Sequence, residues 1–234
     1  MKQIITQHGW GLNKYFWDDY KVDFLNNNWH WQDNERGYFS KNNYQAEWIK
    51  SESKKEIRMT LCHSFGFHLM QKKILKEATH IVLINSFNNF LPLHNKRNFI
   101  LRSLKRMETK IIKDESKDML KEFINRSFMP NHMNNSFKNI FYKSLENLNK
   151  TLLLDDLKQL YINRDFPVFL ENDCKIIFIK SENDMILDSE SNNNFLDALN
   201  KTLETKPILI KLAQQGHCLN NLNLHEILLK ILND

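Results

Sequence analysis

The chain has 234 residues, a formal net charge of +5, 41% hydrophobic and 26% charged residues, and only five glycines and four prolines. That composition excludes collagen-like, linker-like and Gly/Ser-rich disordered chains, and it suffices for one globular unit with a sizeable core. Three cysteines without a CxxC pair form neither a disulfide framework nor a zinc pattern, which points to a reducing, cytoplasmic compartment.

In chain order, Lys2 to Thr6 reads as a short buried strand that ends in His8-Gly9. No long apolar segment precedes it and no run approaches 18 apolar residues, so neither a signal peptide nor a membrane span is expected. Residues 13–26 read as a helix, Trp29 to Gln32 as a second strand, and Asp33 to Gly37 as a polar turn. Residues 43–52 are expected to be helical. Ile57 to Cys62 is a strand, followed by His63-Ser64-Phe65-Gly66 and a helix to about Lys76. The β-branched, apolar run Thr79 to Asn85 predicts a strand buried on both faces. Residues 97–165 carry a helical pattern with no convincing strand. Cys174 to Lys180 is strand-like, 190–204 helical, Ile208 to Leu212 the last strand, and 221–232 a closing amphipathic helix. Alternating strands and helices before residue 90 and after residue 170 predict an α/β fold with a mostly parallel sheet flanked by helices. The expected organisation is a core of 1–94 and 166–234 with a helical cap inserted at 95–165.

Scarce glycines mark places where a side chain is not tolerated. The strand–Cys62-His63-Ser64-Phe65-Gly66–helix segment resembles the small-x-Ser-x-Gly nucleophile turn of α/β-hydrolases. Such a turn needs small residues two before and two after the serine; Gly66 fits, and Cys62 stands where glycine is usual. The following helix would add a positive dipole end near Ser64. As the residue between, His63 would point away from the nucleophile. His8-Gly9-Trp10-Gly11 resembles the oxyanion loop of the same superfamily, which implies the N–H groups of Trp10 and Phe65 as oxyanion donors. Ser181 to Leu187 resembles its acid loop, with Asp184 as the residue that orients the imidazole and Glu182 as the nearest rival. Gln214-Gln215-Gly216-His217 resembles its Gly-His loop, with His217 as general base. The order Ser64, Asp184, His217 is the superfamily order, and each residue follows a predicted strand. Asp33 to Ser40 resembles a further superfamily stretch, D-x-x-G-x-G-x-S, with Phe39 and the spacing departing from it.

No GxxxxGK[ST] or GxGxxG motif is present, and the Cys-His pairs at 62–63 and 217–218 lack a second metal-binding partner, so no cofactor or metal is expected. Residues 95–165 hold 15 Lys/Arg against 9 Asp/Glu, whereas the rest of the chain is nearly balanced. Lys96, Arg97, Arg102, Lys105 and Arg106 fall in eleven residues without an acid, which is either a solvated helix face or a docking patch for an acidic partner. Aromatic residues do not alternate with these cations, which argues against nucleic acid. His8 to Asn13, with Trp17 beyond, is similar to the pimeloyl–acyl carrier protein methyl ester esterases of biotin synthesis. That resemblance implies a serine carboxylesterase that receives acyl carrier protein through Arg97, Arg102, Lys105 and Arg106, with no membrane partner; a monomer is expected. Phe67 departs from the family, which has glycine there. A small free ester or thioester as substrate, or a non-catalytic binding protein on the same fold, are the alternatives.

Overall fold

The computed structural model describes residues 1–41, 43–50, 56–94, 96–166, 170, 174–220 and 222–233. Its centre is a six-stranded sheet built from β1 (Lys2–Gln7), β2 (Trp29–Asp33), β3 (Ile57–His63), β4 (His80–Ile84), β5 (Lys175–Ser181) and β6 (Ile208–Leu212). The strand order is β2-β1-β3-β4-β5-β6 and every pairing is parallel, as the alternating pattern predicts. Successive side chains point to opposite faces of a strand, so each strand feeds two cores. Ile4, Leu61, Val82, Ile84, Ile177 and Ile179 belong to one cluster, while Ile5, Cys62, Ile81, Leu83, Ile176 and Phe178 belong to the other. The central strands are therefore continuous apolar runs, whereas the edge strand β6 is half-exposed.

Around the sheet run α1 (Asp18–Asn26), α2 (Gly66–Leu69), α3 (Lys72–Lys76), α8 (Ser189–Thr202) and α9 (Leu224–Asn233). Between β4 and β5 lie α4 (Arg97–Ile112), α5 (Ser116–Phe128), α6 (Asn135–Ser144) and α7 (Lys150–Gln159). Asn134 and Asn149 cap the last two by accepting from the N–H groups of Phe137 and Leu152. Among the described residues no helix is long and apolar enough to cross a membrane.

Two expectations fail locally. The helix foreseen after Gly66 is broken at Met70 and Gln71, whose extended backbone separates α2 from α3. The helix foreseen over 43–52 is absent from 43–50; residues 51 and 52 lie outside the described residues. The backbone there is claimed by other elements. Gln3 bonds both the N–H and the C=O of Ile49, Asn34 accepts from the N–H of Ala46, Gln32 donates to the carbonyl of Glu47, and Glu35 bridges Tyr44. Backbone groups bonded to partners distant in the chain cannot also close helical turns.

The inserted helices are tied to the sheet's loops by a buried polar cluster. Asp156 of α7 receives a two-pronged bond from Arg36 at 2.7 and 2.8 Å and a third from the Tyr38 hydroxyl at 2.7 Å. The Asn149 N–H donates to the carbonyl of Tyr38. The Asp156 carboxylate holds the Arg36 guanidinium protonated, while burial is the first cause that raises the Tyr38 hydroxyl far above its ordinary range. Asp156→Ala leaves a guanidinium and a phenol without their shared acceptor. Urea titration of that variant is expected to show a loss of about 3 kcal/mol of unfolding free energy.

Candidate active site

A parallel sheet gathers the loops after its strands at one edge, and its order reverses at β1, which has β2 on one side and β3 on the other. The crevice beyond such a reversal is where open α/β sheets place ligands. Here it is flanked by the loop after β1, carrying His8 to Gly11, and the turn after β3, carrying Ser64.

Ser64 sits between β3 and α2 with φ +53°, a left-handed conformation that costs a serine energy and turns the chain sharply. Its N–H donates to Ile84 of β4 at 2.8 Å, so the turn is anchored to the neighbouring strand. The glycines permit this crowding. A Cβ on Gly66 would stand 2.4 Å from the carbonyl oxygen of Gln7, and one on Gly9 would stand 2.9 Å from Nδ1 of His63 and 3.2 Å from Cβ of Ser64. Cys62 belongs to the buried core on the other face of the sheet, where burial pushes its thiol up to about 12. With α2 only four residues long, the helix following Ser64 is shorter than foreseen and its dipole correspondingly weak. Local N–H groups remain. Among the described residues, neither the Trp10 nor the Phe65 N–H has an acceptor within the chain.

Asp184 lies in the loop after β5. One carboxylate oxygen accepts from the N–H groups of Ile186 and Leu187 at 2.8 and 2.9 Å, and the other meets Nδ1 of His217 at 2.7 Å. A carboxylate only accepts, so Nδ1 carries the proton and Nε2 offers a lone pair. Ser64 Oγ stands 2.8 Å from that Nε2 and donates to it. Three residues separated by 120 and 33 positions thus form one chain of hydrogen bonds, with Ser64 and His217 both buried. Glu182, the rival acid, is exposed. The arrangement can raise the nucleophilicity of a serine hydroxyl and return its proton to a leaving group.

The Gly-His loop rests on the inserted helices. A Cβ on Gly216 would stand 2.2 Å from the carbonyl oxygen of Met129, and the Cys218 N–H donates to the carbonyl of Ser127 at 2.8 Å. The Trp10 ring is held by the same insertion: its Nε1 donates to Leu153 of α7, and the ring meets that of Phe123 of α5 in a T-shaped contact at 5.2 Å. Between insertion and sheet lies a cavity of about 440 Å³ that reaches Ser64, His217, Gly9, Trp10 and Phe65. Its walls are mainly apolar, among them Phe87, Leu104, Met119 and Leu157. Of the basic residues singled out on the first inserted helix, Arg106 lines this cavity. Arg97 donates to the carbonyl of Pro92, while Arg102 and Lys105 are exposed on α4. Lys110 and Arg126 also line it, and sequence reasoning missed both. Among the described residues no group of three or more His, Cys, Asp or Glu could hold a metal ion.

Two further residues escaped the sequence reading. His63 does not point away from the site: its Nε2 lies 2.9 Å from the main-chain oxygen of His217. Asn85, directly after β4, donates to the same oxygen at 2.8 Å. A polar residue closing the apolar run Thr79 to Ile84 was the available signal, since a buried amide must find partners.

No protein-family model matches the chain, and no curated protein matches it in sequence. Solved structures do match it in shape. It is similar to a bromoperoxidase from Bacillus anthracis at 15% identity and a TM-score of 0.75, covering 100% of this chain and 92% of that one. An esterase from Exiguobacterium antarcticum matches at 13% identity and a TM-score of 0.73, with the same coverage. A 2-hydroxy-6-oxo-6-phenylhexa-2,4-dienoate hydrolase from Rhodococcus matches at 12% identity and a TM-score of 0.67, covering 99% and 89%.

Buried and half-buried histidines couple this architecture to pH. Desolvation, then the neighbouring His217, lowers His63 well below its ordinary 6.5; desolvation, then Arg164, lowers His68 to about 3; desolvation, then Lys175, lowers His80 to about 4. The unfolded chain binds protons on these rings near pH 6.5 while the folded chain does not, so stability is lost as pH falls below that value. The urea midpoint is expected to be lower at pH 5 than at pH 7.5; equal midpoints would contradict neutral, buried rings.

Proposed function

We propose that this chain, which has the α/β-hydrolase fold, is a serine carboxylesterase. The observation that carries the reading is His217 standing at 2.7 Å from Asp184 and 2.8 Å from Ser64, at the floor of an apolar cavity. Ser64 Oγ attacks the ester carbonyl carbon as its proton passes to Nε2 of His217. The negative charge that develops on the carbonyl oxygen is received by the N–H groups of Trp10 and Phe65, each worth about 3 kcal/mol in the transition state. The imidazolium then protonates the departing alkoxide, and the alcohol leaves. Water adds to the acyl-enzyme, again losing its proton to His217, and the acid is released with Ser64 restored. Asp184 keeps the proton on Nδ1 throughout and stabilises the imidazolium without being protonated itself.

For the substrate, the reading is the methyl ester of a pimeloyl chain carried on acyl carrier protein, so that methanol is the alcohol released and the pathway is that of biotin. Three features support it. The His8-Gly9-Trp10-Gly11 loop resembles that of such esterases, the cavity walls suit a methylene chain, and the basic surplus lies in the inserted helices, where Arg106 and Arg126 reach the cavity without an acidic partner among the described residues. An esterase for a small free acyl ester shares all the chemistry and needs none of the cations.

Ser64→Ala is expected to lose cleavage of short p-nitrophenyl esters by at least about 1,000-fold, with an unchanged far-ultraviolet circular dichroism spectrum. Retained turnover would remove Ser64 as nucleophile. The substrate is tested by growth: the gene is expected to relieve the biotin requirement of a bacterium lacking its methyl esterase. Continued dependence despite good expression would leave the free-ester reading.

A further inference from the structure

The base of this site is held at its backbone as well as at its ring. The carbonyl oxygen of His217 accepts from Nε2 of His63 at 2.9 Å and from Nδ2 of Asn85 at 2.8 Å. Both donors are 1% exposed. His63 closes β3 and immediately precedes Ser64, while Asn85 follows β4, the strand beside it. The backbone of the base is therefore fastened to two adjacent strand ends, one of which also carries the nucleophile.

The donor assignments follow from the partners. A carbonyl oxygen only accepts, so Nε2 of His63 carries the ring proton and Nδ1 is bare. That Nδ1 is buried without a hydrogen-bond partner, facing the space that Gly9 leaves by having no Cβ. A buried polar atom left unpaired is costly, and here the cost accompanies a ring turned to spend its one donor on His217. The orientation of the Asn85 amide is fixed equally well. Its Oδ1 accepts from the N–H of Ser181 at 2.8 Å, which turns Nδ2 toward the Ser181 hydroxyl and the carbonyls of Gly216 and His217. Asn85 adopts φ +46°, a conformation asparagine tolerates better than most residues.

We propose that His63 and Asn85 are positioning residues for His217: two buried donors grip one main-chain carbonyl and thereby set where the imidazole stands between Ser64 and Asp184. The inference rests on the reading of Ser64, Asp184 and His217 as a catalytic triad. Gly216, on the amino side of His217, permits close packing but supplies no side-chain bond. Without the two donors the loop is free to shift by a fraction of an ångström to an ångström. A misplacement on that scale is enough to cost about 100-fold in rate.

The test compares the full chain with His63→Leu, His63→Gln, Asn85→Ala and the double variant His63→Leu/Asn85→Ala, all checked for folding by circular dichroism and thermal melting. On p-nitrophenyl butyrate, His63→Leu and Asn85→Ala are each expected to lower kcat by about 10- to 100-fold with little change in KM. His63→Gln keeps an amide donor at the position of Nε2 and is expected to recover most of the rate. Because both donors act on one oxygen, the double variant is expected to lose less than the product of the single losses. Proton NMR gives a readout independent of turnover. The downfield signal of the His217 Nδ1–H held by Asp184 is expected in the unmodified chain and in His63→Gln, and is expected to broaden or vanish in the other variants.

Unchanged kcat and an unchanged downfield signal in folded His63→Leu or Asn85→Ala would overturn the proposal. So would a His63→Gln variant as impaired as His63→Leu, since packing and not the donor would then be at stake. Should Asn85→Ala fail to fold, the His63 pair carries the test alone, for the His63 side chain makes no other hydrogen bond among the described residues. An unmodified chain that neither cleaves the ester nor reacts with a fluorophosphonate at Ser64 would instead sink the esterase reading. The NMR comparison would still decide whether His63 and Asn85 position the ring.

Discussion

The loop after β1 and the turn after β3 press against each other so closely that two glycines on the contact have no room for a Cβ. Gly66 meets the carbonyl oxygens of Gln7 and His8, and Gly9 meets His63 and Ser64. This contact sets the rest of the site. It fixes where the Trp10 and Phe65 N–H groups stand relative to the serine hydroxyl, and it lets Ser64 hold a left-handed conformation that its surroundings over-determine. Parallel strands bring both loops to the same edge, and the reversal of strand order at β1 opens the crevice between them. The strain at Ser64 is offset by the ladder bond to Ile84 and by the buried strands beneath it.

The helices between β4 and β5 do more than roof this crevice. Trp10 hangs from Leu153 of α7, the loop after β2 is locked to Asp156 of the same helix, and the Gly-His loop leans on the end of α5. The loop after β1 and the Gly-His loop therefore each have one contact with a strand end or the Ser64 turn and one with these helices. The consequence is a site assembled from both sides, whose apolar cavity is closed by side chains of the insertion and floored by the ends of the strands. Electrostatics follow the same division, because the chain's positive surplus lies almost wholly in the inserted helices while the rest is nearly neutral.

Much of this was legible in one sequence. Short, β-branched apolar runs such as Ile81 to Ile84 suit strands covered on both faces, and their alternation with helices leaves few topologies besides a parallel sheet. Ser64, Asp184 and His217 could be singled out as candidates because each follows a predicted strand, beside a glycine or a short polar loop. Their convergence to hydrogen-bond distance rests on the register of three different strands. Less legible were segments whose fate depends on distant partners. The stretch 43–50 has helical residues but spends its backbone groups on Gln3, Gln32, Asn34 and Glu35, and the helix after Gly66 is interrupted by extended residues at 70 and 71.

What the sequence determined by itself was the class of fold and a set of candidate side chains at strand ends, because periodicity, strand-end position and rare glycines are local properties. Tertiary structure alone decided which groups serve those side chains. Nothing near His63 in the chain reveals that its ring reaches the carbonyl of a residue 154 positions away, and nothing near Asn85 reveals a bond across 132. The roles of Arg36, Tyr38 and Asp156 are equally invisible until β2 and α7 are brought together. Hydrogen bonds of this kind depend on the meeting of strand ends and helix ends in space. That meeting is set by the packing of the whole sheet, which no local pattern encodes.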